Sequence, residues 1–176
     1  MRLTAAIARA HRGKTHRGRA LREFAMVQCN SRRDRSCLID LMHGLNARIR
    51  YQPDVTDVQT SAAEAFAGGK GVCQDQAHAF IACARSLGVP ARYVSGYLFT
   101  DRDDHLSSHA WAEAWLDGAW YSFDVTNCLA KPERHLKLAV GLDYLDACPV
   151  RGMRRGGGVE QMHAHVEVSP VRVQQQ

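Results

Sequence analysis

Long apolar runs are missing from this chain of 176 residues. The longest, such as Leu3–Ala8, falls far short of the roughly 20 residues that a membrane-spanning helix needs. Arg9 breaks that stretch before the apolar part of a secretory signal can form, so no leader is expected. Cysteine is thin as well: six residues, about 3%, lie well below the density of small disulfide scaffolds. No C-x-x-C pair occurs, which removes a common spacing for a structural zinc. Repeats and low-complexity tracts are absent apart from the closing Gln174–Gln176. Acidic side chains are absent from residues 1–22, and so is serine, which makes that stretch a poor organelle transit peptide.

What is present describes one soluble globular domain, with 45% hydrophobic and 23% charged residues. The net charge of +5 is unevenly spread. Residues 1–35 carry ten Arg or Lys against Glu23 and Asp34, a balance of +8, which leaves −3 for residues 36–176. A basic stripe attracts nucleic acid or acidic membrane. Without interleaved aromatics, this one reads instead as a solvated chain end. The asymmetry predicts two parts: a basic, poorly ordered segment over residues 1–35 and a core domain over residues 36–176. Deleting residues 1–20 is accordingly expected to spare both stability and chemistry.

From Ser36 the pattern is periodic. Leu38, Leu41, Met42, Leu45 and Ile49 follow helical spacing behind Asp34 or Ser36 as N-cap. Ser61-Ala-Ala-Glu64 is a capping box, and Gly68-Gly69 stops the short helix it begins. A third helix is predicted from about Cys73 to Leu87, with Ala77, Phe80, Ile81, Ala84 and Leu87 as its apolar face. Gly88 and Pro90 end it. Beyond Pro90 the period changes to that of strands over Ala91–Thr100, His109–Leu116, Trp120–Thr126, His135–Val140 and Gln161–Val168. Helices first and an antiparallel sheet afterwards describe an α+β domain.

The chemistry is concentrated at three positions. Cys73 stands where the third helix begins, so its thiol meets the positive end of the macrodipole and unpaired backbone N–H groups. Both favour the thiolate, the nucleophilic form. Cys83, in the middle of the same helix, reads as an inert core residue. A thiol nucleophile needs a base, and the base an orienting group. Asp117-Gly118 signals a two-residue hairpin turn, in which Leu116 faces Ala119 and paired residue numbers sum to 235. That register sets Asp124 opposite Trp111, His109 opposite Thr126, and His109 diagonal to Asp124 on one face. A lone strand histidine usually packs or meets water, and a lone aspartate usually caps a turn. The ordered trio is far rarer than any one member.

Gly71-Val72-Cys73-Gln74-Asp75, Ser108-His109-Ala110-Trp111 and Phe123-Asp124-Val125-Thr126-Asn127 resemble the three core motifs of the bacterial transglutaminase-like superfamily. Leu87–Tyr97 and the stretch Ala139–Gly158 with Pro149-Val150-Arg151 are similar to it too, so the resemblance covers about residues 36–170. It implies a papain-like α+β core in which a nucleophile helix packs on an antiparallel sheet. Cys73, His109 and Asp124 would be nucleophile, base and orienter. Many relatives carry a β-rich region ahead of the core, and residues 1–35 are too short and too basic to be one. The family includes peptidases, cross-linking enzymes and peptide deglycosylases, so the fold does not choose the reaction.

The expected function is cysteine-dependent acyl transfer on peptide or glutamine amides through a thioester, with hydrolysis favoured over cross-linking. The competing class is a catalytically inactive module of the same fold that holds a partner. The Cys73 backbone N–H is one expected oxyanion donor, with Tyr51, Gln52 or Gln59 as side-chain candidates. Trp111 shares the face of His109 and is the tryptophan best placed to line the site. His105, His163, His165, Cys128 and Cys148 are not brought together by spacing, and Asp101, Asp103 and Asp104 lack the EF-hand pattern. No metal or cofactor is expected. The expected partner is a peptide or protein substrate rather than nucleic acid or membrane, and the oligomeric state stays open. Six cysteines without a signal suggest a reducing compartment, the cytoplasm.

Overall fold

A computed structural model describes residues 13–15, 18–30, 32–99 and 108–148. The predicted strand Gln161–Val168, the glycines 156–158, and the candidates Asp101, Asp103, Asp104, His105, His163 and His165 lie outside the described residues. A single 3-10 turn, Gly13–Thr15, precedes helices α1 (Arg19–Cys29) and α2 (Arg35–Arg48). Two-residue strands β1 (Arg50–Tyr51) and β2 (Lys70–Gly71) flank helix α3 (Ala62–Gly68) and pair in parallel. Helix α4 (Cys73–Ser86) leads into β3 (Ala91–Leu98), β4 (Ser108–Leu116), β5 (Ala119–Phe123), β6 (His135–Gly141) and the short helix α5 (Tyr144–Ala147). The four longer strands form one antiparallel sheet in the order β5-β4-β3-β6. Among the described residues no helix is long and apolar enough to cross a membrane.

Local chemistry sets the element ends where the sequence places them. The Asp34 carboxylate accepts from the Cys37 N–H at 2.7 Å and caps α2. Ser61 and Glu64 form the reciprocal box at α3, which stops at Gly69 in the left-handed region. Asp117 and Gly118 both take positive φ, 46° and 90°, as a type I′ turn requires. The β4–β5 register follows: Leu116 pairs Ala119, Trp115 pairs Trp120 and Ala112 pairs Phe123. Strand alternation then sends Ala110, Ala112, Ala114 and Leu116 into the core against α4. His109, Trp111 and Glu113 go to the opposite face. The ladder ends at Phe123, because Asp124 and Leu129 close a tight loop with backbone bonds of 2.8 and 3.1 Å. Thr126 therefore does not face His109 across the sheet, as a longer strand would have it.

The larger correction concerns residues 1–35. Helix α1 buries Leu21, Ala25 and Cys29 completely, a stripe at i, i+4 and i+8, and α1 lies against α4. Ahead of it, the fully buried Thr15 accepts a 2.7 Å hydrogen bond from Arg85 on α4. Among the segment's described residues, Arg19, Arg22, Arg32, Arg33 and Arg35 are exposed. Its inner side is part of the core, so the boundary expected at residue 35 divides a packed unit. A disulfide joins Cys29 to Cys37, tying the end of α1 to the first turn of α2. The reducing compartment expected from the cysteines conflicts with this bridge.

Candidate active site

Cys73 is the first residue of α4 and is half-buried. The residue before it, Val72, has no side chain that can cap the helix. Asp75 supplies the cap by reaching back to accept the Val72 N–H at 2.8 Å and the Thr56 hydroxyl at 2.6 Å. Burial raises the Asp75 pKa, and the charge of Asp57 adds to this against the lowering effect of those bonds. The need for glycine at position 71 comes from this side chain. Gly71 is not in the left-handed region, but a Cβ there would fall 2.7 Å from Asp75 Oδ2. Close approach is thus the reason for the glycine.

Cys83, ten residues along the same helix, is fully buried, and burial pushes its thiol pKa far up. Its Sγ donates to the Leu21 carbonyl at 3.3 Å. Position on the helix separates the two thiols, as expected from the sequence.

His109 Nε2 and Asp124 Oδ2 are 2.7 Å apart, and the His109 ring also hydrogen-bonds the Cys73 side chain. With Nε2 committed to the carboxylate, Nδ1 is the nitrogen left for the sulfur. Burial alone would lower the His109 pKa. The hydrogen bonds and charges of Asp124 and Cys73 outweigh it and raise the value to about 9. For Asp124, burial favours the neutral acid, but hydrogen bonds from His109, His135 and Asn127 together with the His109 charge hold the carboxyl well below its usual range. The three residues named from sequence thus meet: thiol to imidazole, imidazole to carboxylate. Trp111 stacks beside His109 at 6.1 Å between ring centroids, on the face where alternation put it.

Sequence reasoning missed the groups that hold the carboxylate and its loop. His135 Nε2 lies 2.9 Å from Asp124 Oδ2, and Asn127 Nδ2 donates to the same oxygen at 2.8 Å. Asn127 sits three residues after Asp124, at the end of the motif Phe123–Asn127, where spacing alone gives it no separate role. His135 comes from β6, with nothing local in the sequence to join it to Asp124. Gln76, one turn after Cys73 and fully buried, accepts the Thr126 hydroxyl at 2.6 Å and donates to the Ile49 carbonyl at 2.7 Å. Asn46 on α2 donates to the Val125 carbonyl at 2.9 Å. Its position on the polar side of an amphipathic helix was the available signal.

The ligand atoms of His109, Asp124 and His135 lie within 4.8 Å of one another. Their separations of 2.7 and 2.9 Å from one buried oxygen are those of hydrogen bonds, and Asn127 fills that oxygen further. Of the side-chain oxyanion candidates, Gln59 turns away, its Oε1 accepting from Lys14 Nζ at 3.0 Å. Tyr51 pairs with Gly71 across the small parallel sheet, and its hydroxyl is close enough to Cys73 to feel its charge. Burial first and then that charge raise the Tyr51 pKa. Gln52 enters through its backbone N–H, which donates to the Gly71 carbonyl at 2.9 Å. Cys128 bonds the Val125 carbonyl and Cys148 the Tyr144 hydroxyl, so these two thiols have separate partners.

Residues 29–125 match the family model described as the transglutaminase-like superfamily. A relative, an uncharacterised protein of Mycobacterium leprae, is 36% identical over 77% of this chain and 50% of its own length. Among solved structures, a candidate cysteine protease from Cytophaga hutchinsonii is 32% identical with a TM-score of 0.65, over 73% of this chain and 44% of that one. The periplasmic domain of TgpA from Pseudomonas aeruginosa, bound to ethylmercury, superposes with a TM-score of 0.54 at 23% identity, over 73% of this chain and 50% of that one. That last likeness is one of fold. The chain spans about half the length of the curated relatives it matches. Motif order, the sheet that carries it and the matched span agree: the chain belongs to the transglutaminase-like superfamily.

Proposed function

We propose that the protein is a cysteine-dependent acyl-transfer enzyme acting on peptide or glutamine amides, and that it hydrolyses rather than cross-links. The observation that carries this reading is His109, hydrogen-bonded to Cys73 on one side and 2.7 Å from Asp124 on the other. The Cys73 thiolate attacks the amide carbon, and the tetrahedral oxyanion is held by the Cys73 backbone N–H, with the Tyr51 hydroxyl as the side-chain candidate. The His109 imidazolium gives its proton to the leaving nitrogen, the C–N bond breaks, and an amine departs from a thioester. Water then loses a proton to His109 as it attacks, the C–S bond breaks, and acid and thiolate are regenerated. Asp124 keeps the imidazole in one tautomer throughout. The name of the Cytophaga hutchinsonii neighbour supports the choice of water over an amine.

A non-catalytic binding module has no evident use for an intact relay, and the bond between His109 and Cys73 counts against it. The cytoplasm proposed from sequence conflicts with the Cys29–Cys37 disulfide, which a reducing cytosol opens. Alkylating the protein at the moment of cell lysis separates the two, since only free thiols gain mass.

Labelling with iodoacetamide at pH 6 tests the central claim. Cys73→Ala is expected to abolish labelling and turnover of a peptide library, and Cys83→Ala to leave both in place. Equal labelling of the two variants would remove the proposal. Release of acid without incorporation of a fluorescent amine marks hydrolysis, and the reverse result marks transfer.

A further inference from the structure

Asp124 accepts on one oxygen from two strands and a loop. His109 reaches Oδ2 from β4 at 2.7 Å, His135 reaches it from the start of β6 at 2.9 Å, and Asn127 reaches it from the following loop at 2.8 Å. In the sheet order, β3 separates β4 from β6. Gly96 on β3 pairs with His109 on one side and Lys137 on the other. Because Gly96 carries no side chain, the Trp111 ring crosses over it; a Cβ there would stand 2.8 Å from Trp111 Cη2. Trp111 then packs edge-on to His135 at 4.7 Å, and the two imidazoles lie 5.9 Å apart between centroids. The sheet is built so that two histidines from non-adjacent strands converge on one carboxylate.

The His135 side chain is 1% exposed, and its Nδ1 is buried with no hydrogen-bond partner among the described residues. Leaving a polar atom in that state is unfavourable, and a phenylalanine or leucine would fill the space without it. The other nitrogen gives the reason for keeping an imidazole. Asn127 holds Asp124 only from within its own loop, whereas His135 ties it to the far strand of the sheet. Given the acyl-transfer reading above, on which this inference rests, we infer that His135 is a positioning residue. Its Nε2–H clamps the Asp124 carboxylate, and through it the tautomer and orientation of His109 that leave Nδ1 facing Cys73. Titratable groups near the pair are Cys73 and Cys128, and Arg35, Glu113, Tyr121, Lys131 and Lys137 share a cavity with His135.

The test compares His135→Phe, which keeps bulk and removes the donor, with His135→Gln, whose amide nitrogen can reach the same oxygen. The first readout is the iodoacetamide rate at Cys73, taken at pH 6, below the raised His109 pKa of about 9, and at pH 10, above it. His135→Phe is expected to lose about tenfold at pH 6, the effect of one hydrogen bond to a charged group, with little change at pH 10. His135→Gln is expected to restore most of the rate. The second readout is the downfield proton resonance of the His109–Asp124 bond, recorded in the Cys73→Ala protein so that no thiol chemistry contributes. It should vanish with His135→Phe and persist with His135→Gln.

Wild-type rates at both pH values in His135→Phe, with the resonance intact, overturn the inference. Equal losses in both variants at both pH values, with a lowered melting temperature, also overturn it, because His135 would then only fill space. If wild-type Cys73 reacts no faster than glutathione at pH 6 while the resonance responds as described, the acyl-transfer reading fails and the clamp stands.

Discussion

The two ends of α4 carry the same kind of residue in opposite surroundings. At its start Cys73 is half-buried, faces an imidazole, and sits where the backbone N–H groups are unpaired. Ten residues on, Cys83 is sealed by Leu21, and next to it the Arg85 guanidinium is fully buried. Arg85 donates to Thr15 at 2.7 Å and to the carbonyls of Ala91 and Leu142 at 2.9 and 3.0 Å. One end of the helix is organised for a reaction, the other to anchor the chain. The anchor is the N-terminal segment, so a region rich in arginine contributes to the core from which the nucleophile is presented.

That contrast is broken most severely by removing residues 1–20. The deletion takes away Thr15 and the first two residues of α1, leaving a buried guanidinium short of an acceptor and uncovering the end of α4. A loss of about 3 kcal/mol or more is expected, read as a shift in the urea midpoint. Thr15→Val, which removes only the hydroxyl, should lose roughly half of that. An unshifted midpoint for the deletion would return the segment to the dispensable status its charge suggested. Reducing Cys29–Cys37 should do less. The bridge closes a loop with a sequence separation of 8, for which chain entropy gives about 2.5 kcal/mol. Dithiothreitol should lower the melting temperature of the wild type and leave that of a Cys29→Ala, Cys37→Ala protein unchanged.

The same contrast explains what could be read in the sequence. The hairpin was legible from Leu116–Ala119 to Ala112–Phe123, because Asp117-Gly118 fixes a turn type and the turn fixes the register. Beyond Phe123, Asp124 pairs with Leu129, and the expected pairs Trp111–Asp124 and His109–Thr126 do not form. Cys73 was legible because it follows Gly71-Val72 at the head of the apolar face of Ala77, Phe80, Ile81, Ala84 and Leu87. The docking of α1 was obscured by scale. Its buried stripe is only Leu21, Ala25 and Cys29, set among Arg19, Arg22 and Glu23, and net charge over 35 residues reports the outer side. His135 was hidden by distance: its partner lies 11 residues away across an irregular loop, and no period links them. Short-range rules find strands and turns, whereas a carboxylate shared between non-adjacent strands is a property of the assembled sheet.

The smallest expected effect sharpens the comparison through pH. His109 belongs to the reactive end, and His78 lies fully buried within α4, where its Nε2 accepts the Tyr144 N–H at 3.1 Å. Burial, with the charges of Lys14 and Arg85, pushes His78 down to about 3, whereas Asp124 and Cys73 raise His109 to about 9 despite burial. The two act on opposite limbs of the stability curve. The folded state holds the His109 proton more tightly than the unfolded chain does. Its contribution is therefore complete below the ordinary histidine value of 6.5 and is lost as pH rises toward about 9. His78 is held neutral, so from 6.5 downward the unfolded chain binds a proton that the folded one refuses, and stability falls toward about pH 3. A melting temperature that peaks between the two limbs is expected, and about 1 kcal/mol on either side moves it by roughly 3 °C in a chain of this size. His78→Gln, which keeps an acceptor for Tyr144, should flatten the acid limb alone, and His109→Gln the alkaline limb alone. A profile in which either variant alters both limbs would mean that the two ends of α4 are electrostatically coupled.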